Sequence, residues 1–370
     1  MTFVEVFSEV PDPRDYTAQH ALVDVLFVAL AAVLCGATHC SEMALFAKTR
    51  LALLRQFVPL KRGAPSHDTF SRVFNALDPE AFNAALMRFM TAFGEAARQD
   101  APLSHVAIDG KSLRRAYEKG AACMPPLVVT AFACDTFMSL AQTVAAAGGE
   151  CEAAVRAVEL LSLKGAVVTA DALHCHQRMT NAVIQGGGHY VIGLKGNQSK
   201  LAKAAGAALD AAEADGRVRV HQSLEEAHGR REVRRALVIP FAVPPSRKGK
   251  ALTGVKAVAR IETLRTVDGG EAVRTARCFV LSKRMSAQDL SALVRRHWAI
   301  ENQLHWQLDV LFREDDTRTR KKNAAANLAV LRRLALNILR ADAEDIPLSH
   351  KRLKARWDDQ HLLLLMTHVR

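Results

Sequence analysis

The sequence predicts an α/β protein with a helical N-terminal domain and a mostly β insertion. Residues 1–100 repeat apolar side chains at helical spacing, the following hundred residues alternate short apolar strands with helices, and residues 217–281 show β-type alternation. A chain of 370 residues is long enough for two or three domains. We therefore expect a helical domain at 1–100, an α/β domain at 101–345 that contains the 217–281 insertion, and a basic C-terminal tail at 346–370.

Four helices are expected in the N-terminal domain, near residues 18–36, 41–57, 66–77 and 79–97. Two of their starts are clearly marked. Ser66 is a suitable N-cap before a first turn that contains Asp68, and Pro79 occupies the first helical position after Asp78. Short, closely spaced helices of this kind predict a compact bundle.

The α/β domain begins with a short apolar strand that ends in an acid, at residues 105–109. Further strands are expected at 127–133, 139–144, 165–171 and 189–194, with helices at 150–163 and 176–185. Alternation of strands with helices is typical of an α/β sheet. The insertion contributes β-type segments at 217–221, 232–239, 256–266 and 272–281.

A helix at residues 295–316 follows the insertion, and an amphipathic helix is expected at 323–340. The first of these carries Glu301 between two turns that contain Trp298 and Trp306. Because it holds two of the three tryptophans in the chain, we expect this helix to be largely buried.

Charge and cysteine content narrow the class of protein. A net charge of +12 and a pI near 9.6 predict an anionic partner, with nucleic acid favoured over a membrane surface. The seven cysteines are scattered without any Cys-x-x-Cys pair, which is typical of reduced thiols in a cytoplasmic protein. No signal peptide or good membrane span is recognised, so no membrane partner is expected.

Three acids are candidates for one metal site. Asp109 and Asp171 lie at the ends of predicted strands, where functional groups collect in open α/β sheets, and Glu301 lies on a late helix. Hard oxygen ligands favour Mg²⁺ or Mn²⁺, and two such ions can activate an attacking oxygen and stabilise a leaving oxygen in phosphodiester chemistry. Asp309 and Glu314 compete with Glu301 for the third position, and Asp309 could also support the site from the same helical face.

Histidines near these acids allow other interpretations. His297 and His305 share a helical face with Glu301, but paired or buried histidines are favoured over a metal site made by these three residues. A zinc site at the His174–His176 run is disfavoured because it lacks a second pair of ligands.

Basic and amide side chains near the acids are candidate contacts to the DNA backbone, against the alternative of solvated loops. They are Lys111, Lys195 and Asn197 in the α/β domain and Arg318, Arg320, Lys321 and Lys322 after the Glu301 helix.

The chain resembles the ISAs-type, H-repeat-associated insertion-sequence transposases of the DDE superfamily. The segments that carry the resemblance are Asp12-Pro13-Arg14, Pro65-Ser66-His67-Asp68-Thr69-Phe70, Ile108-Asp109-Gly110-Lys111-Ser112-Leu113-Arg114, Asp171-Ala172-Leu173-His174-Cys175, Leu194-Lys195-Gly196-Asn197-Gln198 and His297-Trp298-Ala299-Ile300-Glu301-Asn302. The resemblance implies a ribonuclease H-like catalytic core, an associated N-terminal helical domain, and the acid triad Asp109, Asp171 and Glu301.

One departure concerns the helix of the third acid. Many related transposases place Tyr, Arg, Glu and Lys there at spacings of three, four and seven, and this chain has Val294, His297, Glu301 and Leu308 at those positions. His297 would then replace a phosphate-contacting arginine and make that contact sensitive to pH.

The predicted function is a DNA transposase that cleaves transposon ends with Mg²⁺ or Mn²⁺ and transfers the strands into target DNA. Terminal inverted repeats and target DNA are the expected partners, and a homodimer on DNA is possible. Two alternatives remain open: a transposase-derived DNA-binding protein without activity, and a stand-alone metal-dependent nuclease.

Overall fold

The computed structural model describes residues 2–14, 17–97, 103–116, 125–145, 149–216, 218–227, 229–243, 251–268 and 270–367. Within them, the strands form one mixed sheet in the order β3-β2-β1-β4-β5-β9-β8-β7-β6. The strands are β1 (His105–Ser112), β2 (Leu127–Ala133), β3 (Ser139–Ala145), β4 (Val167–Ala170), β5 (His189–Leu194), β6 (Val220–Ala227), β7 (Arg230–Pro240), β8 (Ala257–Val267) and β9 (Val273–Leu281). The expected α/β class is therefore confirmed.

The insertion extends the central sheet and does not form a sheet of its own. Strand β9 pairs antiparallel with β5, with Val191 opposite Leu281 and Leu194 opposite Cys278, and β8, β7 and β6 follow in antiparallel order. Strands β1, β4 and β5 run parallel to one another. On the other side of β1, strand β2 pairs antiparallel with β1, and β3 pairs antiparallel with β2. The backbone groups at the edge of β5 are thus satisfied by the insertion.

The helices are α1 (Phe3–Phe7), α2 (Leu22–Leu34), α3 (Cys40–Thr49), α4 (Leu51–Leu54), α5 (His67–Ala76), α6 (Pro79–Ala97), α7 (Glu150–Glu159), α8 (Gln177–Gln185), α9 (Ser199–Ala214), α10 (Ala287–His297), α11 (Trp306–Val310), α12 (Ala324–Ala341), α13 (Leu348–Trp357) and α14 (Asp359–Thr367). Both marked helix starts are confirmed. Ser66 caps α5 by accepting from the Thr69 amide, and Pro79 begins α6. Helix α1 was not expected from the sequence, and the segment expected at 41–57 divides into α3 and α4.

The helices cover the two faces of the sheet with separate cores. On one face, the N-terminal helices α1 to α6 and the late helices α12 to α14 share a core that also contains Ala107 of β1. On the other face, α7, α8 and α9 pack against Val106 and Ile108 of the same strand. Side chains of a strand point alternately to its two faces, so Asp109 lies on the face of Ala107. The N-terminal helices consequently support the same side of the sheet as Asp109.

Residues 346–370, expected to be a basic tail, contain α13 and α14. Ala355, Leu362, Leu365 and Met366 are buried in the core that these helices share with the N-terminal helices. Apolar residues at spacings of three and four in the run of leucines near the C-terminus explain the packing. Among the described residues, no helix is both long and apolar enough to cross a bilayer.

The helix expected at 295–316 is interrupted. Helix α10 ends at His297, a π-helix spans Ile300–His305, α11 ends at Val310, and a short 3₁₀-helix covers Glu314–Asp316. A π-helix inside an α-helix changes the angular position of the following side chains and is frequent at functional sites. Glu301 lies inside this π-helical turn.

Candidate active site

Asp109 and Asp171 stand at matching positions of two neighbouring parallel strands. Ala107 of β1 lies opposite Thr169 of β4, so the residues two positions further along each chain, Asp109 and Asp171, are brought to the same edge of the sheet. Strand β1 continues to Ser112, whereas β4 ends at Ala170. The prediction that each aspartate ends its strand is right to within one residue for Asp171, which directly follows β4, and wrong for Asp109, which lies within β1.

The turn after Asp171 is held by hydrogen bonds. The Asp171 carboxylate accepts from the Leu173 amide at 2.9 Å and caps the short 3₁₀-helix Ala172–His174. Asn197 donates its side-chain amide to the Ala172 carbonyl at 2.6 Å, and Gln198 donates to the Cys175 carbonyl at 3.0 Å. The loop that follows β5 thus fixes the turn that presents Asp171.

Glu301 is brought close to Asp109 through His305. The Nδ1 atom of His305 lies 3.3 Å from Glu301 Oε2 and 3.6 Å from Asp109 Oδ2. One potential ligand atom from each of these three residues lies within 4.8 Å of the other two. His305 is buried, while 26% of the Asp109 side chain and 48% of the Glu301 side chain are exposed. The two carboxylates are consequently close together and open to solvent on one side.

The carboxyl groups of Asp109 and Glu301 lie in different environments. The pKa of Asp109 is raised to about 6, mainly by burial; the negative charges of Glu301 and Asp171 also raise it, and the nearby His305 opposes them. The hydrogen bond with His305 lowers the pKa of Glu301. Among the described residues, neither Asp109 nor Glu301 forms an ion pair with a lysine or arginine. Two adjacent carboxylates of this kind form an arrangement that a divalent cation would stabilise.

All three acids line one cavity of about 350 Å³. Its wall also contains Lys195 at the end of β5 and Trp298 after α10. The donor set consists of hard carboxylate oxygens, which fits Mg²⁺ or Mn²⁺. The structure thus brings together the three acids that are separated by 62 and 130 residues in the sequence.

His297 also lines the cavity, and its ring is held by a hydrogen bond. Its Nδ1 atom is 2.8 Å from the Thr169 hydroxyl, which is also 2.8 Å from Nε2 of the buried His105. Burial lowers the pKa of His297 to about 4 and that of His105 to about 3, so both rings are neutral at physiological pH. Burial thus opposes the pH-sensitive positive charge expected at His297, and its role in place of the arginine stays a prediction.

Asp309 and Glu314, the competitors for the third acid, are paired with cations. Asp309 lies 2.9 Å from Nζ of Lys111, and Lys111 also binds Asp315 at 2.9 Å. Glu314 is fully buried and lies 3.2 Å from Arg333. Glu301 is thus the acid of this segment that faces Asp109 without a lysine or arginine partner in the described chain.

The same contacts correct the expectation that Lys111 binds DNA. Its side chain is 8% exposed, and its charge is used by Asp309 and Asp315. Lys111 follows Asp109 by two residues on the same face of β1, so it ties the segment after Glu301 to that strand. Asp309 supports the site in this sense, as a partner of Lys111.

The remaining candidate DNA contacts lie in different places. Lys195 lines the acidic cavity, whereas Lys321 and Lys322 line a separate cavity of about 830 Å³ together with Arg14 and Arg72. Arg318 is exposed, and Arg320 donates to the Arg115 carbonyl at 3.1 Å. The amide of Asn197 is already engaged by Ala172, as described above.

Trp298 and Trp306 are exposed, by 45% and 55%. The expectation that the helix carrying the two tryptophans is largely buried is wrong. Its buried face is formed by Ile300, Leu304 and Leu308 instead. The sequence carried a signal for this difference, since the apolar repeat of the helix is complete without the two tryptophans. Arg277 of β9 also lines the acidic cavity, and it was not predicted because its position there depends on the pairing of β9 with β5.

The fold and the site define an α/β protein with an acid-lined cavity where β1 and β4 meet. Comparison with known proteins identifies its family. Residues 100–338 match the family described as "Transposase DDE domain", and residues 4–90 match the family described as "DDE_Tnp_1-associated". The chain belongs to this family of DDE transposases.

Its relatives include proteins similar over nearly their whole length. "H repeat-associated putative transposase YhhI" of Escherichia coli (strain K12) is 29% identical over 97% of this chain and 96% of its own. "Putative transposase YncI" of Escherichia coli O157:H7 is 30% identical over 96% of this chain and 91% of its own. The piggyBac transposase synaptic complex with hairpin DNA aligns at a TM-score of 0.45 and 12% identity over 99% of this chain and 75% of that chain, a similarity too weak to establish a shared fold.

Proposed function

We propose that this protein is a metal-dependent DNA transposase with Asp109, Asp171 and Glu301 as its catalytic acids. The single observation that carries the proposal is the convergence of these three carboxylates on one open cavity, in a chain that belongs to the DDE transposase family. A ribonuclease H-like core is part of the proposal and is supported by the placement of the two aspartates on the adjacent parallel strands β1 and β4.

The residues of the chain would prepare the site in three ways. Asp109 and Glu301 would hold one divalent cation, and Asp109 and Asp171 a second. Ions bound there would lower the pKa of water and neutralise the charge that develops on the phosphate during cleavage and strand transfer. The hydrogen bonds to the Ala172 and Cys175 carbonyls hold the turn of Asp171 in place, and the buried pair of Lys111 with Asp309 holds the segment of Glu301.

DNA would reach this site across positively charged surfaces. Lys195 lies in the wall of the acidic cavity, and Lys321 and Lys322 lie in the cavity that also contains Arg14 and Arg72. Contacts of these residues and of Arg318 and Arg320 with the DNA backbone would be independent of sequence. Terminal inverted repeats as substrate, a homodimer on DNA and a cytoplasmic site of action remain predictions.

The test is cleavage of a plasmid that carries the coding region with its genomic flanks, in Mg²⁺ or Mn²⁺. Asp109→Asn, Asp171→Asn and Glu301→Gln should each lower the cleavage rate by at least about 100-fold, because preorganised charge stabilisation is lost. Asp210→Asn is the matched control, since Asp210 is an exposed acid of α9 paired with Arg260. Activity retained in a triad variant would remove that residue from the catalytic set.

The products and the binding data separate the alternatives. Joined donor and target strands support a transposase, whereas cut ends without joining support a stand-alone nuclease. DNA binding by the wild-type protein without metal-dependent cleavage of its own flanks would support a DNA-binding protein that has lost activity.

A further inference from the structure

The turn that follows Asp171 carries two histidines, and helix α7 packs against it. His174 ends the 3₁₀-helix that Asp171 caps, and His176 caps the start of α8. Glu150 and Cys151 are the first two residues of α7. Because α7 contacts both the 3₁₀-helix and α8, these residues meet although they are distant in the chain.

Cys151, His174 and His176 form a group of possible metal ligands. One ligand atom from each of the three lies within 4.8 Å of the other two. The ligand atoms around a tetrahedral zinc ion lie about 3.3–3.8 Å apart, so small side-chain rotations would bring these three to ligand distances. The Oε1 atom of Glu150 lies 3.9 Å from Nε2 of His174. Helix α7 thus supplies the thiol and the carboxylate that the His174–His176 run lacks in the sequence.

Each of the two histidine rings has a buried nitrogen without a hydrogen-bond partner. His174 is 1% exposed, and its Nδ1 atom is unpartnered. The Nε2 atom of His176 is also buried and unpartnered. Burying a polar atom without a partner is costly, and each such atom in a folded protein calls for an explanation. Two of them beside one thiol point to a ligand that the three side chains share.

The electrostatic surroundings of this group favour a cation. Burial lowers the pKa of His174 and of His176, so both rings are neutral and able to bind a metal. Burial and the negative charges of Glu150 and Asp171 raise the pKa of Cys151, so these acids oppose a thiolate unless a cation lies beside it. In the described part of the chain, Glu150 forms no ion pair with a lysine or arginine. A divalent cation would therefore stabilise the thiolate and the carboxylate together.

We propose that Cys151, His174 and His176 bind one zinc ion, with Glu150 as the carboxylate partner of the His174 ring. A thiolate with two imidazoles is typical of zinc, whereas the carboxylates of the acidic cavity suit Mg²⁺ or Mn²⁺. The three ligands do not line the acidic cavity, so the two metal sites are distinct. Zinc bound here would hold α7 against the turn that presents Asp171.

Zinc binding changes the position of the proton on His176. Without an ion, Nδ1 of His176 accepts from the Met179 amide at 3.3 Å, which places the ring proton on Nε2. Zinc at Nε2 moves this proton to Nδ1 and ends the long capping bond. The exchange favours the bound ion, because zinc binds thiolate and imidazole ligands far more strongly than one capping bond stabilises a helix.

The first test uses Co²⁺ as a spectroscopic substitute for zinc. Wild-type protein freed of metal should show a near-ultraviolet charge-transfer band from thiolate to cobalt when an equimolar amount of Co²⁺ is added. Cys151→Ser should lose this band, and His176→Gln should weaken it. Cys40→Ser, at another partly exposed cysteine, is the matched control and should retain the band. Excess Mg²⁺ in the titration should not compete, since Mg²⁺ prefers oxygen ligands.

Zinc affinity and thiol protection provide the second test. Competition with a zinc-binding dye should show a single site, and Cys151→Ser should raise its Kd by at least about 100-fold, because loss of an outer partner alone costs up to about 100-fold. Zinc should also slow the alkylation of Cys151 by N-ethylmaleimide, measured by peptide mass spectrometry. Alkylation of Cys40 in the same sample should not change.

Three results would overturn this inference. They are the absence of a thiolate band in wild type, a band of equal strength in Cys151→Ser, and equal alkylation of Cys151 with and without zinc. Thermal melting of each variant without zinc checks that the fold is retained. Failure of the proposed function is a different result, because these measurements use no DNA: wild-type protein that does not cleave its own flanks in Mg²⁺ or Mn²⁺ could still bind zinc.

Discussion

Two groups of acids lie on the same side of the central sheet and differ in what balances their charge. Asp109 and Glu301 are partly exposed, and the basic group that contacts them is His305. Glu314 is completely buried and lies between the guanidinium groups of Arg332 and Arg333 of α12. The first group is prepared to accept a cation from solution, whereas the second already contains its cations.

The two groups are connected through strands β1 and β2. Arg333 donates to the Thr130 hydroxyl at 3.3 Å, and Thr130 of β2 is the residue directly opposite Asp109 of β1. The buried ion pair thus supports the strand pair that presents Asp109. The comparison teaches that the presence or absence of an internal cation, and not the position of an acid in the sequence, separates structural acids from candidate metal ligands.

The largest effect on stability is expected at Glu314. Glu314→Gln would leave two buried arginines without their carboxylate, so we expect the free energy of unfolding to fall by about 3–5 kcal/mol. Urea denaturation measures this change. Asp316→Asn, two residues away at an exposed ion pair with Arg115, should cost less than about 1 kcal/mol. Equal losses in the two variants would contradict the distinction between the buried and the exposed acids.

A smaller loss of stability is expected when Lys111 is replaced. Lys111→Met would leave Asp309 and Asp315 near each other without a cation, and we expect about 2–3 kcal/mol of destabilisation because both acids are still partly exposed. The added variant Asp309→Asn should restore part of this loss, since it removes one of the two unpaired charges. If the double variant is less stable than Lys111→Met, the ion pair is not what Lys111 contributes.

The smallest effect on the free energy of unfolding is expected at Asp109, where a substitution should stabilise the protein. Its pKa of about 6 in the folded protein lies above the ordinary value of 3.8. Below pH 4 the carboxyl group is protonated in both the folded and the unfolded chain, and as the pH rises through 6 the folded chain loses stability. Asp109→Asn should therefore be more stable than wild type by about 1–3 kcal/mol at pH 7, with the difference vanishing near pH 4.

Thermal melting at pH 4 and pH 7 measures this difference, and added Mn²⁺ sharpens it. Mn²⁺ should raise the melting temperature of wild type and have a weaker effect on Asp109→Asn, since a ligand that binds the folded state stabilises it. If the Asp109→Asn variant is less stable than wild type at pH 7, the carboxylate of Asp109 belongs with the structural acids.

Several elements followed from local patterns in the sequence. Apolar periodicity predicted helices α2, α5, α6 and α12 and most of the strands, because one face of each must be buried. The capping residues Ser66 and Pro79 marked the beginnings of α5 and α6. The same patterns could not show that the insertion extends the sheet, because the residues of β5 with which β9 pairs lie 84 to 90 positions earlier in the chain.

The sequence by itself determined the alternation of strands and helices and the three candidate acids Asp109, Asp171 and Glu301. These follow from side-chain periodicity and residue chemistry, which act within a few positions along the chain. Only the tertiary structure decided which acids remain free and which cations accompany them. It paired Lys111 with Asp309 and Arg333 with Glu314, placed His305 between Asp109 and Glu301, and brought Arg277 to the exposed ring of Trp298. Such pairs form between elements distant in the chain, and the electrostatic role of a side chain depends on the neighbours that packing gives it.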